Sequence, residues 1–301
     1  MEKMRRREFL ARSVAGAGAV LLGTHIVLPE ETKPAAFNPY ELVALGKTGL
    51  KVSRIGAGTG AHGGDNSSNQ KRLGKEKFEA LVKGEYDRGI RMFDMADMYG
   101  THPFVGAALK GLPRDKYVLV SKVGTWHARE EEREKPDVTV GRFLKEIGTD
   151  YIDLVLLHCV MSGDWPKQLR KYMDGLDDLK KKGIIRAHGV SSHSIPALEA
   201  ALNDPWVDSV HVRINAFGTE MDDQPDKVVP VLKKLRVAGK GVVGMKLVGN
   251  GEFKYDQEKI DKSVEFVLTK DCVDMMIVGF ESAEEVDDFA GRVRKVATKP
   301  A

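Results

Sequence analysis

From Leu45 onward, short apolar runs alternate with stretches whose apolar residues recur three and four positions apart. The runs cover residues 52–57, 90–95, 117–122, 152–158, 184–191, 207–214, 241–247 and 274–279, and each predicts a buried strand. Between them, sets such as Phe78, Leu81 and Val82, or Leu169, Tyr172, Met173, Leu176 and Leu179, line one face of a helix. Strand and helix thus alternate eight times. Because each crossover returns the chain in the same direction, the sheet is predicted to be parallel. Eight such units in about 250 residues match a single-domain (β/α)8 barrel, which places its chemistry at the C-terminal ends of the strands. A doubly wound sheet is the rival. It would carry Gly-x-Gly-x-x-Gly after its first strand, where this chain has Gly56-Ala57-Gly58-Thr59-Gly60. Residues 45–50 are expected to form a small hairpin plugging the barrel bottom.

A hydrophobic share of 42% with 30% charged residues over 301 residues allows a sizeable core. The net charge of +3 resides in the first twelve residues, where Lys3, Arg5, Arg6, Arg7 and Arg12 outnumber Glu2 and Glu8. The remainder is near neutral, so neither nucleic acid nor an anionic membrane is indicated as a partner. Arg5-Arg6-Arg7-Glu8-Phe9-Leu10, followed by an Ala/Gly-rich apolar stretch over 13–28 and Pro29, resembles a twin-arginine export signal. The resemblance implies a periplasmic or other extracytoplasmic protein that passes through the twin-arginine machinery already folded. Residues 1–36 are expected to be signal and linker, with Pro34-Ala35-Ala36 the nearest cleavage candidate, and residues 37–301 the barrel. The two cysteines, Cys159 and Cys272, make neither a disulfide framework nor a metal site.

Asp94, Lys122 and His158 close the second, third and fourth predicted strands, and Tyr99 follows in the loop after Asp94. A free tyrosine has a pKa of about 10 and is a weak acid at neutral pH. An ammonium held beside it favours the phenolate, and a carboxylate paired to that ammonium keeps it charged and in place. A histidine facing the same cavity can orient a carbonyl oxygen and stabilise charge growing on it. This set transfers a proton; a bound nicotinamide would supply the electrons. Singly, each residue could be a barrel-interior packing group.

The segments Phe93-Asp94-Met95-Ala96-Asp97-Met98-Tyr99-Gly100, Val120-Ser121-Lys122, residues 151–158 and residues 183–192 resemble the aldo/keto reductases in order and spacing. The resemblance implies a catalytic tetrad of Asp94, Tyr99, Lys122 and His158, with Tyr99 as general acid. It also implies an NADH or NADPH site. Thr59 would lie at its first-strand edge. Ser191 and Ser192, where the family usually has Asn at the second position, would hold the nicotinamide carboxamide, and His211 stands where Gln is usual. Asn215 shares the face of His211 and Arg213, and Arg213 would pair with Asp94 or Asp153 or reach a phosphate. Met245 stands in place of a stacking aromatic. Lys246 would neutralise the pyrophosphate under a loop starting at Gly249. Gly279, Glu281 and Glu285 follow the eighth strand, where acidic groups disfavour a 2′-phosphate and lean the choice toward NADH; Ser282 with Glu285 also reads as a capping box. Trp126, His127, Met161 and Trp165 sit in loops above the site and are expected to line a substrate pocket. The expected activity interconverts a small carbonyl compound and its alcohol in a monomeric protein. The alternative is an exported sensor or accessory protein holding its nucleotide with little turnover.

Overall fold

Residues 35–125 and 134–298 are described by a computed structural model. A short antiparallel pair, β1 (Leu42–Ala44) and β2 (Lys51–Ser53), precedes eight parallel strands that close into a barrel in the order β10-β3-β4-β5-β6-β7-β8-β9. These are β3 (Ile55–Gly58), β4 (Met92–Asp94), β5 (Val118–Gly124), β6 (Ile152–Val160), β7 (Ile185–Ser192), β8 (Ser209–Arg213), β9 (Gly241–Met245) and β10 (Met275–Val278). Helices follow the strands and pack outside them through a continuous apolar layer. The (β/α)8 architecture is the one the alternation predicts.

Two boundaries differ. The run 52–57, expected as one strand, divides at Arg54: Ser53 ends the hairpin strand, and Ile55 begins the barrel. Arg54 makes this turn because its amide bonds back to Glu41 O (3.0 Å) while its carbonyl accepts Met276 N (2.9 Å) from β10. Strands β5 and β6 also run two residues past Lys122 and His158, so these residues lie just below the strand ends. In β6 the register with β7 shifts between Leu157 and Val160, and Cys159 takes a left-handed φ of 57°.

Alternation along the strands explains how a polar site sits on an apolar barrel. Inward positions are apolar in the lower layers, as in Met92, Val118, Val120, Leu154, Leu156 and Ala187, which pack with Leu45, Leu50 and Val52 of the hairpin. The hairpin therefore closes the barrel bottom. Two residues further up the same inward rows come Asp94, Lys122 and His158, with Ser191 four above Ala187 and His211 opposite it on β8. Their neighbours on the opposite face, such as Leu119, Val123 and Leu157, belong to the layer beneath the helices.

Candidate active site

The upper layer of the barrel assembles the four residues singled out above. Lys122 Nζ donates to Asp94 Oδ2 (2.6 Å) and to Met95 O (2.8 Å), and both side chains are almost fully buried. Tyr99 is carried by a 3-10 turn, Asp97–Tyr99, just beyond β4. Its hydroxyl lies 3.4 Å from His158 Nε2, with the two rings edge to face, and Lys122 Nζ sits 5.0 Å from the centre of the phenol ring. Gly60 and Gly63 make room for that ring. A Cβ on Gly60 would stand 2.2 Å from it and one on Gly63 2.6 Å, so neither position tolerates a side chain without moving the phenol.

Burial raises the Tyr99 hydroxyl above its ordinary range, and the Lys122 ammonium offsets this only in part. The phenol is thus protonated at neutral pH. Burial opposes charge on Asp94, yet Lys122 and His211 outweigh it and hold the carboxyl below its usual range. Burial likewise works against the Lys122 ammonium, and Asp94 with Tyr99 reverses the balance and keeps it charged. His158 is held well below the ordinary imidazole range by burial and then by Lys122, so it faces Tyr99 as a neutral ring. The result is a neutral acid and a neutral imidazole over a buried ion pair.

A cavity of about 720 Å³ opens from Asp94 and Tyr99 and runs outward past Met245 and Lys246 to Gly279, Glu281 and Glu285. A family model described as the aldo/keto reductase family matches residues 54–299. The chain belongs to the aldo/keto reductase family. It is 31% identical over 160 residues to methylglyoxal reductase DkgB of Salmonella typhi, an alignment covering 52% of this chain and 58% of that protein. The chain thus spans little more than half the length of that curated relative. A solved aldo-keto reductase from Pseudomonas aeruginosa, described as putative, superposes with a TM-score of 0.68 at 26% identity, covering 86% of this chain and 96% of the other. An aldo-keto reductase from Klebsiella pneumoniae in complex with NADPH shares the fold with a TM-score of 0.65 at 24% identity, covering 86% and 91%.

Within this aldo/keto reductase barrel, several residues expected around a nucleotide take other partners. The Thr59 hydroxyl bonds to Asp94 O (2.9 Å) and to Thr101 Oγ1 (2.8 Å), which makes it a brace for β4 instead of a ligand group. Asn215 is fully buried, donates to Thr219 O (2.6 Å) and Lys246 O (3.1 Å), and accepts from Phe217 N (2.9 Å); it ties down the loop after β8. Ser192 donates to Ser194 O (3.1 Å). Arg213 meets neither Asp94 nor Asp153. It pairs with Asp222 (2.7 Å from Nε) and donates to His193 O (3.1 Å), while Asp153 is taken by Arg114 and Arg186. Trp165 is 1% exposed, donates to Ala197 O (3.2 Å) and packs edge to face on Trp206, so it anchors its loop and is not part of the wall of this cavity. Met161 is exposed at the surface, and Trp126 and His127 lie outside the described residues. Gly249, with φ of 58°, shapes the loop after β9 without lining the cavity.

Met245, Lys246, Gly279, Glu281 and Glu285 line the cavity, whereas Ser191 and His211 lie buried in the barrel behind its wall. Lys246 donates to Asn250 Oδ1 (2.6 Å) at its wall, and Ser282 caps the helix Ala283–Lys295 as the capping box implies. Two residues without a sequence signal join the outer end: Asn69 donates to Glu281 Oε1 (2.7 Å), and Lys254 lies 3.2 Å from Glu281 and 3.5 Å from Glu285. His193, beside Cys159 at 3.6 Å, is held at about 4 by burial and by Arg213 and Lys246.

Proposed function

We propose that this protein is an NAD(P)H-dependent oxidoreductase that interconverts a small aldehyde or ketone and its alcohol, with Tyr99 as the general acid. The observation that carries this reading is a protonated phenol 3.4 Å from a neutral His158, with the Lys122–Asp94 pair behind it, at the inner end of a long cavity. Bound reduced nicotinamide supplies the hydride for the carbonyl carbon. The chain's own residues do the rest. His158 and Tyr99 together hold the carbonyl oxygen; as charge grows there, Tyr99 releases its proton, and Lys122 stabilises the phenolate left behind. Asp94 keeps Lys122 charged and fixed.

The residues present suit a nicotinamide. Ser191 Oγ and His211 Nδ1 are buried without hydrogen-bond partners, and the two residues lie opposite each other in the β7–β8 register. A hydroxyl that can donate beside a ring nitrogen that can accept is complementary to a primary carboxamide, which carries one acceptor and two donors. At the outer end, Glu281, Glu284, Glu285 and Asp288 line the cavity, and Lys254 is already engaged by two of them. That balance favours a ribose hydroxyl over a 2′-phosphate, and so NADH over NADPH.

Steady-state and stopped-flow absorbance at the reduced-nicotinamide band, with NADH and NADPH in turn and a panel of small aldehydes and ketones, tests the whole reading. Repeated turnover is expected with NADH, falling by at least about a hundredfold in Tyr99→Phe with nucleotide affinity kept. A single oxidation event per molecule would instead mark a bound-nucleotide sensor, and tighter binding of NADPH would reverse the cofactor preference. We further place the protein outside the cytoplasm by the twin-arginine route, on the strength of Arg6-Arg7-Glu8-Phe9-Leu10. Cell fractionation checks this: Arg6→Lys with Arg7→Lys should retain the chain inside, and unchanged export would dismiss the route.

A further inference from the structure

We propose that His211 is a positioning residue that couples nucleotide binding to the proton donor through its tautomer, and this rests on the nicotinamide reading above. The ring lies fully buried on the inward face of β8, with Nε2 3.2 Å from Asp94 Oδ1. Nε2 and Asp94 Oδ1 satisfy each other once Nε2 carries the proton, and Nδ1 is left buried without a partner among the described residues. The Nδ1 left over is costly to keep unsatisfied, which marks it as a place for a further group.

The tautomer follows from Asp94. That carboxyl is ionised, because Lys122 donates to its other oxygen at 2.6 Å. A neutral imidazole has one N–H and one lone pair. With the proton on Nδ1, the Nε2 lone pair would face a carboxylate oxygen across 3.2 Å, two acceptors in a buried site. With the proton on Nε2, the ring donates to Asp94 and Nδ1 becomes an acceptor. Asp94 and Lys122 are the charged groups acting on this ring, and burial holds it below its ordinary pKa and keeps it neutral. An amide N–H donated to Nδ1 polarises the ring and strengthens the Nε2–H bond to Asp94, since linked hydrogen bonds reinforce one another. Asp94 in turn sets Lys122, and Lys122 sets Tyr99. Filling the amide site therefore strengthens the bond from His211 to Asp94 and shifts the charge that Asp94 presents to Lys122, and by reciprocity an intact Asp94 favours nucleotide binding.

The test uses the full chain labelled with 15N-histidine, with NADH as probe, binding followed by its fluorescence in the same samples, and the His211 signals assigned by His211→Gln. The free protein is expected to show a protonated Nε2 and a pyridine-type Nδ1. Saturation with NADH should move the Nδ1 resonance toward the hydrogen-bonded range while Nε2 stays protonated. Asp94→Asn, which removes the constraint on the tautomer, should weaken NADH about five- to tenfold. His211→Leu should do the same, whereas His211→Gln, which can both donate and accept, should restore affinity to within about twofold. A proton on Nδ1 in the free protein, or an unmoved Nδ1 at saturation, overturns the coupling while leaving the oxidoreductase reading intact. Absence of any NADH binding overturns both, and the fluorescence titration distinguishes that failure from the first.

Discussion

A phenol can donate a proton in the middle of a reaction only if it still carries that proton when the substrate arrives. At Tyr99 burial does this work, and the nearby ammonium limits the cost of the phenolate once it forms. The opposing influences on one hydroxyl come from two neighbours in space, so spacing in the sequence reports their presence and not their balance. The grouping of these four side chains is legible because a polar residue at the end of an apolar strand run has few structural explanations, and Asp94, Lys122 and His158 repeat that pattern three times. Partner choice is not. Thr59 and Asn215 stand where ligand groups are expected, yet backbone carbonyls a few ångströms away take their donors. His211 faces Asp94, a contact between strands at opposite sides of the barrel order that no local pattern reports. Gly60 and Gly63 provide the space in which the Tyr99 ring lies, a role no local pattern reports.

At the scale of elements, the short turn Asp97–Tyr99 must hold an aromatic ring to a fraction of an ångström with few backbone bonds of its own, the Tyr99 amide bonding to Ala96 O at 3.1 Å. A chain of side chains buttresses it from outside. Arg142, on the helix Pro136–Ile147, grips Asp97 through both carboxylate oxygens (2.8 and 3.0 Å) and also reaches Glu146 (3.2 Å). Glu146 pairs with His102 Nδ1 (2.7 Å), and His102 Nε2 meets Ser121 (2.8 Å), the residue before Lys122. The route thus joins the turn bearing Tyr99 to the strand bearing Lys122 behind the site. Arg142→Ala is expected to lower kcat about tenfold with KM for NADH little changed, because a small displacement of the acid costs rate more than binding. Arg142→Lys should recover part of the loss. Steady-state kinetics on both variants checks this, and an unaltered kcat in Arg142→Ala would show that the turn holds itself. The alternation of strand and helix implies a helix between β5 and β6 but gives no hint that its polar face supports the site, since such a face ordinarily meets only solvent.

Over the whole barrel, buried titratable groups set how stability depends on pH, and two classes act in opposite directions. Burial holds His158, His188, His193 and His211 below their ordinary value of 6.5. The unfolded chain therefore binds protons that the folded one refuses, and stability is lost as pH falls below 6.5. Glu85 does the reverse. It lies 3% exposed on the inner face of the helix Lys75–Arg88, and burial raises its carboxyl from 4.5 to about 8. Between those values the folded state keeps a proton that the unfolded state has given up, so its contribution is complete below 4.5 and drains away as pH rises toward 8. Below about pH 7 the four histidines outweigh the single carboxyl, and only well above it does Glu85 dominate among these groups. The Glu85 contribution alone should fall by about 2 kcal/mol from pH 6.5 to 8, while the histidines return a similar amount over the same interval, so stability should be nearly level there with its peak near pH 7. Denaturant melts at pH 5, 6.5 and 8.5 measure the curve. Glu85→Gln, which keeps size and hydrogen-bonding capacity but cannot ionise, should remove the alkaline fall and steepen the loss on the acid side between pH 4.5 and 6.5. An alkaline fall of equal size in the variant would mean that Glu85 ionises in the folded protein as freely as in the unfolded chain.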